Sequence, residues 1–105
     1  MSIFLDVMKE ELERNLFKQK AFLEQLNSLP KGYLSECIID NKKYIYRKNR
    51  EGKKIISKYI GIPGDDNVKK ALKERDEYLY LKKSIKELKA EEHKLRKAIE
   101  NYEKV

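Results

Sequence analysis

The sequence has few of the residues from which cross-links, metal sites and active sites are usually built. Its 105 residues include one cysteine, one histidine and no tryptophan. A single cysteine excludes an intramolecular disulfide and a metal cluster of cysteines. We expect Cys37 to be a buried structural thiol, because a nucleophilic cysteine needs a base or a helix N-terminus beside it. We expect His93 to be a solvated residue of a charged helix.

Glycine and proline are also scarce, at four and two residues. The one glycine-rich stretch, Gly-Ile-Pro-Gly at 61–64, lacks the lysine and hydroxyl residue that follow the glycines of a phosphate-binding loop, so we interpret it as a turn. Glu87 and Glu91 are four residues apart, a spacing typical of a solvated helix face. No motif indicates an enzyme, and we predict no catalytic residue, metal site or cofactor.

Long hydrophobic runs are missing as well. No apolar stretch approaches the roughly 20 residues that a membrane span needs, and the first residues do not resemble a signal peptide. We therefore expect a cytoplasmic protein with no membrane partner. Charged residues make up 41% of the chain and hydrophobic residues 40%. This balance predicts one small domain over residues 1–105 with a thin core, which association with a partner would stabilise.

The apolar residues that are present recur with two different periods. Residues 2–28 and 65–103 carry them at helical steps of three and four. Ser2 is placed to cap the first helix, and Pro30 to end it. Residues 33–60 contain three short β-rich segments separated by turn signals at residues 40–41 and 49–52. The pattern predicts an α+β protein of order α-β-β-β-α, with a long antiparallel helical hairpin and a three-stranded antiparallel meander.

The second helix carries a heptad seam. Apolar residues follow each other at alternating steps of four and three, with one polar interruption at Glu92, which we expect to pair with a lysine or to face water. Packing against the first helix explains the seam, and an intermolecular coiled coil is the alternative. Because the first helix is about a dozen residues shorter, we expect the seam near its C-terminal end to overhang and to be covered by a second copy. The residues of this predicted homodimer interface are Leu81, Ile85, Leu88, Leu95, Ile99 and Tyr102.

The positive charge is concentrated in the middle of the chain. Residues 31–60 hold nine basic and three acidic side chains, whereas the formal net charge of the whole chain is +7. Tyrosines are interleaved with the lysines, so the meander is suited to contact phosphates and to stack unpaired bases. The alternative is that the tyrosines pack the sheet onto the helices while the lysines protect its edges from aggregation. The predicted nucleic-acid or partner-binding residues are Lys42, Lys43, Tyr44, Tyr46, Arg47, Lys48, Arg50, Lys53, Lys54 and Lys58.

Three stretches of this segment carry a resemblance. They are Leu-Pro-Lys-Gly-Tyr-Leu at 29–34, Asn-Lys-Lys-Tyr-Ile-Tyr at 41–46, and Arg-Glu-Gly-Lys-Lys-Ile-Ile-Ser-Lys-Tyr-Ile-Gly at 50–61. The chain resembles a group of small uncharacterised bacterial and archaeal proteins that join such a meander to a charged helix. The hairpin and third strand are also similar to the N-terminal segment of some insertion-sequence transposases. The resemblance covers about a third of the chain.

This resemblance implies a mobile-element setting and a sheet that faces nucleic acid. The catalytic domain of the transposases has no counterpart in these residues, so the resemblance implies no nuclease activity. Our first hypothesis is therefore a non-enzymatic module that binds DNA or RNA. Our second is a protein-interaction module or inhibitor, for example a phage or plasmid counter-defence protein that blocks a nucleic-acid-processing enzyme through its helices and basic face.

Overall fold

The computed structural model describes residues 2–104. Two helices flank three strands along the chain, so the predicted α+β fold of order α-β-β-β-α is confirmed. The predicted bounds of the two helices and of the three-stranded segment as a whole lie within one residue of the observed ones. The elements are α1 (Ile3–Ser28), β1 (Tyr33–Ile39), β2 (Lys42–Glu51), β3 (Lys54–Gly61) and α2 (Asp66–Glu103).

The chain divides into two compact units. The helical unit consists of the residues up to Ser28 together with those from Tyr80 onward, and the sheet unit consists of Leu29–Leu79. Helix α2 therefore contributes to both, with its first turns in the sheet unit and the rest in the helical unit.

Helix α1 and the later part of α2 pack together as the predicted antiparallel pair. The Oγ of Ser2 accepts a hydrogen bond from the backbone N–H of Leu5 at 3.4 Å, which confirms the predicted cap. Near this same end of the pair, Nζ of Lys9 lies 3.0 Å from Oε1 of Glu103. An early turn of α1 thus lies beside the last turn of α2.

This ion pair corrects the predicted overhang. Helix α2 has 38 residues and α1 has 26, but the extra turns of α2 lie at its N-terminal end, in residues 66–79 of the sheet unit. Leu95 and Ile99 are half-buried, and Tyr102 is 44% exposed. The prediction that the seam near these three residues extends beyond α1 was wrong, because helix lengths alone do not say which end is in excess.

A polar layer crosses the helical unit. The side chain of Asn15 is buried; its Nδ2 donates to the carbonyl oxygen of Leu88 at 2.8 Å and its Oδ1 accepts from Nε2 of Gln19 at 2.6 Å. Gln19 Nε2 also donates to Oε1 of Glu92 at 2.8 Å, and Nε of Arg96 donates to Oε2 of Glu92 at 2.7 Å. Among the described residues no buried side-chain nitrogen or oxygen lacks a partner.

Glu92 is therefore held by two hydrogen-bond donors, one on each helix. The hydrogen bond from Gln19, and then the hydrogen bond from Arg96, lower the pKa of Glu92 below its ordinary value because both favour the charged carboxylate. The predicted partner, a lysine or water, was wrong. The heptad pattern of α2 marks Glu92 as polar but carries no information about the side chain that α1 places opposite.

The three strands form one antiparallel sheet of order β1-β2-β3. Asp40 and Asn41 form the first turn with φ angles of 51° and 64°, which short asparagine and aspartate side chains tolerate. The second turn was predicted over residues 49–52, and this was wrong in part. Residues 49–51 belong to β2 and pair with residues 54–56, so the turn itself is Gly52 and Lys53.

The core of the sheet unit lies between one side of the sheet and the first turns of α2. Ile45, Val68 and Ala71 are buried there. Gly61 permits this close approach, because a β-carbon at position 61 would lie 2.7 Å from Oδ2 of Asp65 and 3.2 Å from Cγ2 of Val68. The same Asp65 oxygen accepts the backbone N–H of Ile62 at 3.0 Å, which holds the turn that leads into α2.

Candidate nucleic-acid interface

The two faces of the sheet have different compositions. Side chains alternate between faces along a strand, and directly paired residues share a face. Ile45 pairs with Glu36 of β1 and Gly61 of β3, and these positions define the core face. The opposite face is called here the tyrosine face. Its strand positions are Tyr33, Ser35, Cys37, Ile39, Lys42, Tyr44, Tyr46, Lys48, Arg50, Ile55, Ser57 and Tyr59.

Three tyrosines form a cluster on the tyrosine face. Tyr46 and Tyr59 are paired across β2 and β3, and their ring centroids lie 5.4 Å apart at an interplanar angle of 62°. The ring of Tyr44 lies 6.3 Å from that of Tyr59. Tyr59 is 51% exposed, whereas the other two rings are half-buried. The cluster fixes the orientation of each ring and leaves aromatic surface open to solvent.

The tyrosine face carries only positive charge at its strand positions. Lys42, Lys48 and Arg50 all lie on β2, spread over about 26 Å of strand. No aspartate or glutamate occupies a strand position of this face, whereas the core face holds Glu36 and Glu51. An anionic ligand on the tyrosine face would therefore meet three cations and no carboxylate at the strand positions of that face.

The structure separates the predicted binding residues between the two faces of the sheet and one turn. Tyr44, Tyr46 and the three cations of β2 lie together on the tyrosine face. Lys53 lies in the second turn. The remaining four basic residues occupy the core face, namely Lys43, Arg47, Lys54 and Lys58. The ten predicted residues thus do not form a single surface, because β2 directs neighbouring side chains to opposite sides.

Arg47 differs from the other basic residues of β2 because it lies beside α2. It is half-buried and lines a small cleft together with Glu74, Arg75 and Tyr78 of α2. This location beside α2 gives Arg47 a packing role in the sheet unit.

Tyr59 and Tyr33 belong to the tyrosine face but were not among the predicted binding residues. A two-residue turn at positions 52–53 pairs residue 51 with residue 54, and continuing this register pairs Tyr46 with Tyr59. The pairing of Tyr46 with Tyr59 could have been predicted from a two-residue turn, but the turn predicted over residues 49–52 gave no such pairing.

The residues considered for chemistry belong to different units, with Cys37 in the sheet unit and His93 in the helical unit. Cys37 is exposed on the tyrosine face, so the prediction of a buried thiol was wrong. The thiol is exposed because β1 is an edge strand and because α2 covers the opposite face of the sheet. His93 is exposed on α2. Within residues 2–104 no three or more histidine, cysteine, aspartate or glutamate side chains come close enough to share a metal ion. In that same range no helix has the length and apolarity of a membrane span.

The predicted oligomer interface lies within the helical unit. Leu81 is 2% exposed in the single chain, so it offers almost no surface to a second copy. Ile85, Leu88, Leu95 and Ile99 are half-buried. Of the six residues only Tyr102 leaves a large part of its surface open.

Comparison with known proteins identifies no relative. No protein-family model, no curated protein and no solved structure matches the chain.

Proposed function

We propose that this protein is a non-enzymatic nucleic-acid-binding module whose ligand lies on the tyrosine face. The observation that carries the proposal is the combination, on one face, of a tyrosine cluster and three cations without a carboxylate. The cations contact phosphates and release their counterions, and the exposed ring of Tyr59 offers a stacking surface for a base. Stacking requires an unpaired base, so the proposal favours single-stranded DNA or RNA over duplex.

The sequence adds support of a different kind. The resemblance of residues 29–61 to small bacterial and archaeal proteins, and of the hairpin and third strand to transposase N-terminal segments, supports a mobile-element or phage-type setting for this binding.

The two faces of the sheet supply a matched experiment. One variant carries Lys42→Ala, Lys48→Ala and Arg50→Ala on the tyrosine face, and the control carries Lys43→Ala, Lys54→Ala and Lys58→Ala on the core face. Both lose three positive charges from the same sheet. Binding of a fluorescent single-stranded DNA oligonucleotide of about 16 nucleotides is followed by anisotropy over a range of salt concentrations. Duplex DNA and single-stranded RNA of the same length serve as comparison ligands.

The proposal predicts a difference in salt dependence between the two variants. Each phosphate contact on a single strand contributes about −0.7 to the slope of log Kobs against log salt, so the tyrosine-face variant should flatten the slope by about 2. The control should keep the parental slope. Equal flattening in both variants would show a diffuse charge effect and would contradict a site on the tyrosine face. Parental protein that binds none of the three ligands at about 0.1 M salt would contradict nucleic-acid binding altogether.

A second candidate function is protein interaction through the helices, either as a homodimer or as an inhibitor of another protein. It is favoured by large apolar side chains on the surface of α1, where Ile3, Phe4 and Phe17 are 80%, 72% and 75% exposed. Light scattering should then report a dimer, and Phe4→Ser with Phe17→Ser should reduce the mass to that of one chain. A monomeric parental protein would contradict the homodimer.

A further inference from the structure

The helical unit contains a cleft that the proposed nucleic-acid interface does not use. It has a volume of about 720 Å³, and its apolar walls come from Leu23 and Leu26 of α1 and Ile85 of α2. Leu23 is 49% exposed, and the other two are half-buried. The cleft therefore offers apolar surface from both helices of the antiparallel pair.

All the charged residues that line this cleft are lysines. Lys82, Lys83, Lys86 and Lys89 lie on α2, and no carboxylate contributes to the lining. Lys83, Lys86 and Lys89 have no ion pair within 4.0 Å among the described residues. The chain as a whole carries 18 acidic side chains, but none of them lines this cleft.

We propose that this lysine cleft binds an amphipathic helix of a partner protein, with an apolar stripe in the groove and acidic residues facing the α2 wall. Charge complementarity identifies the partner as acidic. The spacing of the lysines identifies its shape: they recur at steps of one, three and three, over about 10 Å of α2. A third helix lying along the groove would present glutamates or aspartates at the same helical period.

The probe is a labelled synthetic peptide of about 14 residues, or four helical turns, with leucines at steps of three and four and glutamates beside them. A second peptide replaces every glutamate with lysine. Fluorescence anisotropy with the full-length protein should show binding of the acidic peptide. The affinity for the basic peptide should be lower by about tenfold or more. Equal affinity for the two peptides would overturn the proposal, and so would displacement of the acidic peptide by oleate at equal concentration, because the cleft would then be a site for an anionic lipid.

The site is tested with matched charge reversals on α2. Lys83→Glu with Lys86→Glu should weaken the acidic peptide about tenfold or more and improve binding of the basic peptide. Lys94→Glu with Lys97→Glu makes the same change of charge outside the cleft and should change the affinity less than about threefold. Equal effects of the two pairs would overturn the assignment. If the reversed pair does not fold, as judged by circular dichroism, Lys83→Gln with Lys86→Gln gives the same comparison in a milder form.

The proposal is independent of nucleic-acid binding. The variant Lys42→Ala, Lys48→Ala and Arg50→Ala should leave the affinity for the acidic peptide unchanged. Loss of peptide binding in this variant would place the peptide on the sheet and would contradict the lysine cleft. If the parental protein does not bind oligonucleotides, the comparisons between the acidic and the basic peptide still test the lysine cleft.

Discussion

The two compact units differ in whether they bury a polar side chain. Among the described residues, the buried side chains of the sheet unit are all apolar, namely Ile45, Val68 and Ala71. The helical unit buries the polar side chain of Asn15 in addition to Leu81. The difference reflects how each unit fixes its alignment. Two-residue turns set the register of the strands. Two long helices with repetitive apolar seams can slide by a turn, and a buried polar layer that is satisfied in one alignment excludes the others.

The largest expected effect concerns the apolar core of the sheet unit. Ile45→Ala should lower the free energy of unfolding by about 2 to 5 kcal/mol, because it removes a buried side chain that contributes to packing between the sheet and α2. Urea unfolding followed by far-ultraviolet circular dichroism measures it. Ile55→Ala is the matched control, since Ile55 is 57% exposed on the other face, and should cost less than about 1 kcal/mol. Similar losses in both variants would mean that the two faces do not differ in packing.

The next effect concerns the polar core of the helical unit. Asn15→Ala should lower the free energy of unfolding by about 1 to 3 kcal/mol, because Gln19 loses an acceptor and the carbonyl of Leu88 loses a donor. Asn101→Ala changes an exposed asparagine of α2 and should leave stability nearly unchanged. An Asn15→Ala protein as stable as the parent would show that the polar layer does not hold the helices.

Asn15→Leu separates stability from alignment. An apolar side chain removes the desolvation cost of the amide, so stability is expected to be kept or increased, while the fixed alignment of the two helices is lost. Two-dimensional amide NMR spectra should then show additional or broadened resonances from the helical unit. A single sharp set of resonances would contradict the role of Asn15 in alignment.

The success of the sequence prediction follows the same division. The strand segments and the Asp40–Asn41 turn are local features, and they were recognised from propensity and turn chemistry. The polar layer was not predicted, because Asn15 and Gln19 are far from Glu92 in sequence and a single asparagine in a helix gives no periodic signal.

The candidate site was predicted in part for a similar reason. Because side chains alternate along a strand, the sequence of β2 is sufficient to put Tyr44 and Tyr46 on the side opposite Ile45, where the structure has them. The basic residues were grouped by proximity in sequence, whereas the pleat of the sheet sends Lys43 and Lys58 to the core face. Assigning each cation to a face required the register, which depends on the length of the second turn.

A smaller effect is expected for a single ring of the tyrosine face. A base stacked on an aromatic ring contributes about 1 to 3 kcal/mol to binding. Tyr59→Ala should weaken oligonucleotide binding by an amount near the lower of these figures, because part of the ring already contacts Tyr44 and Tyr46. Tyr80→Ala removes a ring that is 63% exposed in the helical unit and should not change the affinity. Anisotropy at constant salt measures both. Equal losses would mean that exposed tyrosines contribute wherever they lie, and would remove the distinction between the units.

The smallest expected effect is a dependence of stability on pH that belongs to the helical unit. Gln19 and Arg96 lower the pKa of Glu92 in the folded protein, so this carboxylate stabilises the fold at any pH above its unfolded value of about 4.3. The contribution is lost as the pH falls below that value and through the lower pKa of the folded state. The difference in thermal midpoint between the parent and Glu92→Gln should therefore be constant from neutral pH to about pH 5 and shrink below about pH 4. Glu91→Gln, at an exposed neighbouring position, should run parallel to the parent throughout. If Glu92→Gln also ran parallel down to the most acidic conditions, the hydrogen bonds to Glu92 would contribute equally to its neutral form, and the negative charge of Glu92 would not stabilise the polar layer.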